Sequence, residues 1–187
     1  RLIHGMVDNG VKVLVITTEL TTRGWIEQME SIGYGMTNAI SEGRVMVLSR
    51  YGTVADARQD VTLQEVLSSP AIPAADVIVL DSASSLMPEG GTKADHHTLI
   101  QQLRKIASDG RSFMLCADPE EMDHTLLHTL RASAEVVLDL DNAMIGGEIK
   151  RNIIITRFLR AAGPIQTSIG WRVEPGMGFI VDITAVS

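Results

Sequence analysis

Two short apolar runs, each closed by an acid, constrain the fold of this chain more than anything else in it. Residues 11–16 lead through Thr17 and Thr18 to Glu19, and residues 77–80 lead directly to Asp81 and Ser82. In an open parallel sheet the ligand crevice lies outside the carboxyl ends of the strands, so both acids are expected to point into one site. The run Val77-Ile78-Val79-Leu80-Asp81-Ser82 has the form of a Walker B strand, in which one acid at the rim organises Mg²⁺ beside a triphosphate.

The usual companion of that strand is missing, because nowhere do the 187 residues read G-x-x-x-x-G-K-[ST]. Residues 1–10 read as the second half of an amphipathic helix closing at Gly10 in the C′ position. In a P-loop fold this is the helix whose N-terminus holds the phosphates. The expectation is a single domain, 1–187, that lacks its phosphate-loop segment. A degenerate domain that never had the loop is the alternative. Loop N–H groups and the loop lysine supply most contacts to the phosphates, so these 187 residues alone are expected to bind ATP weakly or not at all.

With 45% hydrophobic residues the chain suffices for one domain with a core of its own. No apolar stretch approaches the roughly 18 residues of a membrane span, and no signal peptide opens the sequence. Cys116 is the single cysteine, which fits a reducing cytoplasm. A formal net charge of −7 argues against nucleic acid as the main partner, although Lys150, Arg151, Arg157 and Arg160 cluster locally.

Strands and helices alternate along the chain. Thr21 and Thr22 cap a helix running to about Ile32, with Trp25, Ile26, Met29 and Ile32 on one face and Gly33 and Gly35 ending it. A short helix over 36–41 precedes a strand at 44–49. Residues 62–68 form another short helix, stopped by Pro70 and Pro73. A helix over 99–107 ends at Asp109-Gly110, a strand follows at 111–116, and Asp123 caps a helix through Ala132. Residues 135–140 and 149–158 read as paired strands joined across 142–147. The tail, 165–183, carries the hairpin signal Glu174-Pro175-Gly176. The pattern is α/β, a mostly parallel sheet flanked by helices with C-terminal antiparallel strands at its edge.

Four stretches in this order carry a family resemblance: Ile16-Thr17-Thr18-Glu19-Leu20-Thr21-Thr22, Gln28-Met29-Glu30-Ser31, Leu80-Asp81-Ser82, and the closing segment from Trp171-Arg172-Val173-Glu174-Pro175 through Gly176 and Gly178 to Phe179. Together they resemble the archaellum accessory ATPase family, FlaH or ArlH, on the KaiC-like branch of the RecA superfamily. The resemblance implies a RecA-like P-loop NTPase core and a cytoplasmic protein at the cytoplasmic face of the membrane. It further implies binding of ATP and Mg²⁺, weak or regulatory hydrolysis, and a homo-hexameric ring formed with ATP. Its implied partners are the archaellum secretion and rotation ATPase and the motor scaffold proteins. A KaiC-like signalling ATPase, a recombination ATPase on single-stranded DNA, and a nucleotide-free interaction module are the competing readings.

Asp81 reads as the acid that binds Mg²⁺ through water, with Ser82 beside it, or as an acid that only ends a buried strand and keeps it soluble. Glu19 can orient an attacking water, and the resemblance carries the catalytic role of a RecA-like glutamate to it; an acid favoured by the dipole of the next helix is the plain alternative. Asp118 either senses the terminal phosphate or closes a turn with Pro119. The resemblance implies that Arg157 or Arg160 reaches a neighbouring subunit's nucleotide, and their spacing does not choose between them; otherwise they are a solvated strand end. His124 and His128 read as ordinary helix-surface residues, His96 and His97 as part of a solvated loop with Gly90 and Gly91, and the nine methionines as packing.

Overall fold

The computed structural model describes residues 1–52, 61–87 and 92–182. Four parallel strands form the first sheet, in the order β2 (Val45–Ser49), β1 (Val13–Thr17), β3 (Val77–Asp81) and β4 (Ser112–Leu115). In β1 every residue is buried, and register pairs Val13 with both Val45 and Val77 and Thr17 with both Ser49 and Asp81. Successive strand residues point to opposite faces. Leu14, Ile16, Ile78 and Leu80 therefore meet α4 (Leu63–Leu67), α5 (Lys93–Ser108) and α6 (His124–Ser133) through Leu63, Leu99, Leu103 and Leu126. Val13, Val15 and Val79 face the other way, onto Val7 of α1 (Leu2–Asp8), Trp25 and Met29 of α2 (Thr22–Ser31) and Ala39 of α3 (Thr37–Ser41). The sheet is covered on both sides, as parallel sheets require.

Local chemistry sets the helix ends. Gly10, at φ +80°, follows α1. Thr21 accepts from the Gly24 N–H to cap α2, Thr62 and Glu65 form a capping box on α4, and Asp123 accepts from Leu126 on α6. The helix expected over 99–107 starts two turns earlier. Thr92 and Asp95 form a second capping box there, so His96 and His97 are helical, and His96 is buried at 4% exposure rather than lying in a solvated loop. Gly90 and Gly91 lie outside the described residues. Met46, Met144 and Met177 are exposed, so not every methionine is packing.

The C-terminal strands do not extend the edge of the parallel sheet; they make a second, antiparallel sheet, β5 (Val136–Ile145), β6 (Glu148–Phe158), β7 (Ser168–Glu174) and β8 (Gly178–Asp182), in that order. β5 runs on through residues 142–145, read above as a connection. The turn is only Gly146-Gly147, at φ +61° and +84°, the two left-handed residues of a type I′ hairpin. Arg131 of α6 grips Asp139 of β5 through two hydrogen bonds of 2.5 and 2.8 Å, and that guanidinium holds the Asp139 carboxyl below the usual carboxylate range. The Glu174-Pro175-Gly176 turn forms as expected, closed by Met177 N–H to Glu174 O at 3.1 Å. It is stitched to the end of α2: Gly176 N–H donates to Ser31 O at 3.2 Å, and Phe179 N–H donates to Tyr34 Oη at 2.8 Å. Ile183 lies outside the described residues.

Candidate functional site

β1 and β3 are neighbours ending at the same level, so chain direction alone brings Glu19 and Asp81 to one rim. Thr17 is buried, and its hydroxyl accepts from the N–H groups of Glu19 (3.4 Å) and Leu20 (3.2 Å), turning the chain out of the sheet and leaving Glu19 exposed. Thr18 is buried between the strand ends. Its N–H donates to Asp81 O at 2.8 Å, and its hydroxyl donates to Ser82 O at 3.1 Å and accepts from Ser82 N–H at 2.9 Å. Asp81 is half-buried, Ser82 is buried, and the peptide joining them is cis.

The rim continues into the third strand end. Cys116 N–H donates to Leu80 O, and Ala83 N–H returns a bond to Cys116 O. Ser84 N–H donates to Ser82 Oγ, and the Ser84 hydroxyl accepts from Asp118 N–H at 2.7 Å. The Asp118 carboxylate accepts from Glu120 N–H at 2.9 Å, an Asx turn ahead of α6. Cys116 keeps solvent access, yet partial burial first, then the Asp81 carboxylate and more weakly that of Glu19, push its thiol up to about 11. The register that sets Thr17 beside Asp81 places both acids at one rim, with Cys116 next to them.

This shift has a measurable outcome. The thiolate appears only as pH approaches 11, so at pH 8 alkylation of Cys116 by iodoacetamide should run about a hundredfold slower than that of an unperturbed thiol. Asp81→Asn, which removes the larger of the two carboxylate contributions, should speed it up. A rate in Asp81→Asn equal to that of the parent would show that this acid does not bear on Cys116.

Arg157 and Arg160 are placed elsewhere. α6 runs alongside α5 in the same direction, with His96 near Asp123 at one end (3.9 Å) and Arg104 near Ser133 at the other (3.4 Å). Arg157 pairs with Val137, and Arg160 forms an ion pair with Glu135, both just beyond the far end of α6. At about 1.5 Å rise per residue this ten-residue helix sets them roughly 15 Å from the acids' end. Within the chain the structure thus brings together Glu19, Asp81 and Ser82, with Asp118 nearby, and not the arginines. Two of the four clustered basic residues are neutralised locally, Lys150 by Glu148 and Arg160 by Glu135. His124 and His128 are exposed on α6.

Thr18, Ser84 and Cys116 are the residues of this rim that the motif reading passed over. Their signal was faint: a hydroxyl beside the strand-end acid, and small polar residues directly after the other two strands.

No family model matches the chain. It is 28% identical over 188 residues to the archaeal flagellar ATP-binding protein FlaH of Methanocaldococcus jannaschii, covering 100% of this chain and 81% of that protein. The protein of the same name from Methanococcus voltae is 27% identical, with 100% and 82% covered. Among solved structures, the flagellar accessory protein FlaH of Methanocaldococcus jannaschii superposes with a TM-score of 0.85 at 27% identity, over 97% of this chain and 81% of that one. A KaiC-like protein from Pyrococcus horikoshii superposes with a TM-score of 0.73 over 96% and 80%; at 18% identity it speaks for the fold alone.

Proposed function

We propose that this chain, similar along its whole length to the archaeal flagellar ATP-binding protein FlaH, is an ATP-binding regulatory and assembly subunit of the archaellum motor platform. Its partners are the secretion and rotation ATPase and the motor scaffold, which hold it at the cytoplasmic face of the membrane. No helix among the described residues is long and apolar enough to cross a membrane itself.

The observation that carries this reading is the pair of strand-end carboxylates, Glu19 and Asp81, facing one crevice with neither in an ion pair among the described residues. Hard oxygen donors with room for water suit Mg²⁺, which keeps several waters and takes one or two carboxylates plus phosphate oxygens. When bound, Mg²⁺ neutralises charge on the phosphates of ATP. Asp81 holds the metal through water and Ser82 fixes the backbone beside it, while Asp118, whose carboxylate accepts from Glu120 N–H, closes the turn ahead of α6. Glu19, further out and more exposed, orients water.

The nucleotide sits at a subunit boundary of a homo-hexameric ring, where Arg157 or Arg160 of one protomer meets the nucleotide of the next. Their distance from their own acids supports a role across the boundary. A ligand touching both protomers stabilises the ring by mass action. Light scattering on the gene product read from its start codon should show monomer without ATP and a ring with Mg²⁺·ATP. Arg157→Ala together with Arg160→Ala should abolish the ring and spare the monomer. Normal assembly of the double variant would remove the arginines from the boundary, and absence of ATP binding by calorimetry would overturn the function itself.

A further inference from the structure

We propose that Thr18 is a positioning residue of this crevice, whose side chain ties the backbone of Ser82 to the strand end that carries Glu19. The proposal rests on the reading of the crevice as a Mg²⁺·ATP site.

Thr17 and Thr18 stand side by side with opposite tasks. The Thr17 hydroxyl serves its own chain by accepting from Glu19 and Leu20. Thr18, at 4% exposure, reaches across to a residue 64 positions away and both donates to it and accepts from it. A hydroxyl has one proton to give, and that proton is committed to Ser82 O. The β-branch stiffens χ1, so the hydroxyl cannot swing away cheaply. Ser82 is itself buried, and the bond from its N–H to Thr18 Oγ1 bears on the peptide that follows the Asp81 side chain. The Thr18 hydroxyl thereby fixes the direction of Asp81 relative to Glu19.

This contact is separable from the fold. The ladder between β1 and β3, and the Thr18 N–H to Asp81 O bond, belong to the backbone and survive any side-chain change. Thr18→Val keeps shape and branch but leaves Ser82 N–H and C=O without that partner; Thr18→Ser keeps the hydroxyl.

The measurement is the ratio of ATP dissociation constants without and with Mg²⁺, taken on the gene product read from its start codon. Thr18→Val should cut that ratio about tenfold, the worth of roughly one hydrogen bond, while Mg²⁺-free ATP binding stays within about twofold. Thr18→Ser should restore the ratio. An unchanged ratio in Thr18→Val, or a loss that Thr18→Ser does not repair, overturns the proposal. If the wild type gains nothing from Mg²⁺, the nucleotide reading fails instead. Hydrogen exchange at the Ser82 amide then decides the contact by itself: protection should fall in Thr18→Val, and unaltered protection overturns it. Thr18→Ala replaces Thr18→Val should the latter not fold.

Discussion

A Gly178→Ala variant is expected to melt about 10 °C below the parent chain, against about 3 °C for Gly146→Ala, since 1 kcal/mol is worth roughly 2–4 °C in a domain of this size. Both glycines have positive φ, +72° and +61°, so both substitutions carry the left-handed penalty of about 1–2 kcal/mol. They differ in what the new methyl meets. At Gly146 there is nothing within 4 Å, whereas at Gly178 a Cβ would stand 2.3 Å from the ring of Tyr34. Tyr34 cannot yield easily: it is buried in the core with Val15 and Trp25, and its hydroxyl holds Phe179 N–H. Overpacking of this kind adds about 1–3 kcal/mol. Thermal unfolding of both variants is the check, and equal shifts would show that the β7–β8 hairpin does not bear on Tyr34.

Separating the two acids should give the largest functional effects. In the gene product read from its start codon, Asp81→Asn is expected to weaken Mg²⁺-dependent ATP binding by at least about tenfold, because on the proposed reading it removes a charge that acts on the bound metal in the ground state. Glu19→Gln should leave affinity within about twofold and lower any hydrolysis by about a hundredfold or more, the usual contribution of a positioned base. A water-orienting group acts mainly in the transition state, whereas a metal-organising group acts as soon as the ligand binds. Calorimetry and single-turnover hydrolysis on the two variants distinguish the roles; equal loss of affinity in both would show them misassigned.

Much of this architecture is legible from the sequence where short-range chemistry decides. Thr21, Asp123 and the Glu174-Pro175-Gly176 turn act on neighbours a few residues away, and each does what its residue type predicts. The start of α5 escaped because Gly90, Gly91 and two histidines outweighed the Thr92-x-x-Asp95 cap in the reading. The full length of β5 escaped because Asn142 suggested a turn that Gly146-Gly147 supplies. Whether the last four strands join the first sheet is a long-range matter that periodicity does not encode. At the site, the two acids were readable because strand direction aims them. The Thr18–Ser82 contact was not, since it pairs residues that only the folded sheet makes neighbours.

The 64-residue interval between those partners also bears on how the protein comes into being. Parallel pairing of β1 with β3 must wait for a long intervening segment to be closed, a slow event compared with helix formation. During synthesis Glu19 leaves the ribosome well before Asp81, and for that period the chain holds half a crevice with nothing to complete it. The crevice therefore cannot exist before β1 and β3 pair, and it is lost when they separate. Any ligand that spans the two strand ends recognises only chains whose sheet has closed, and by binding them it draws the folding equilibrium toward completion.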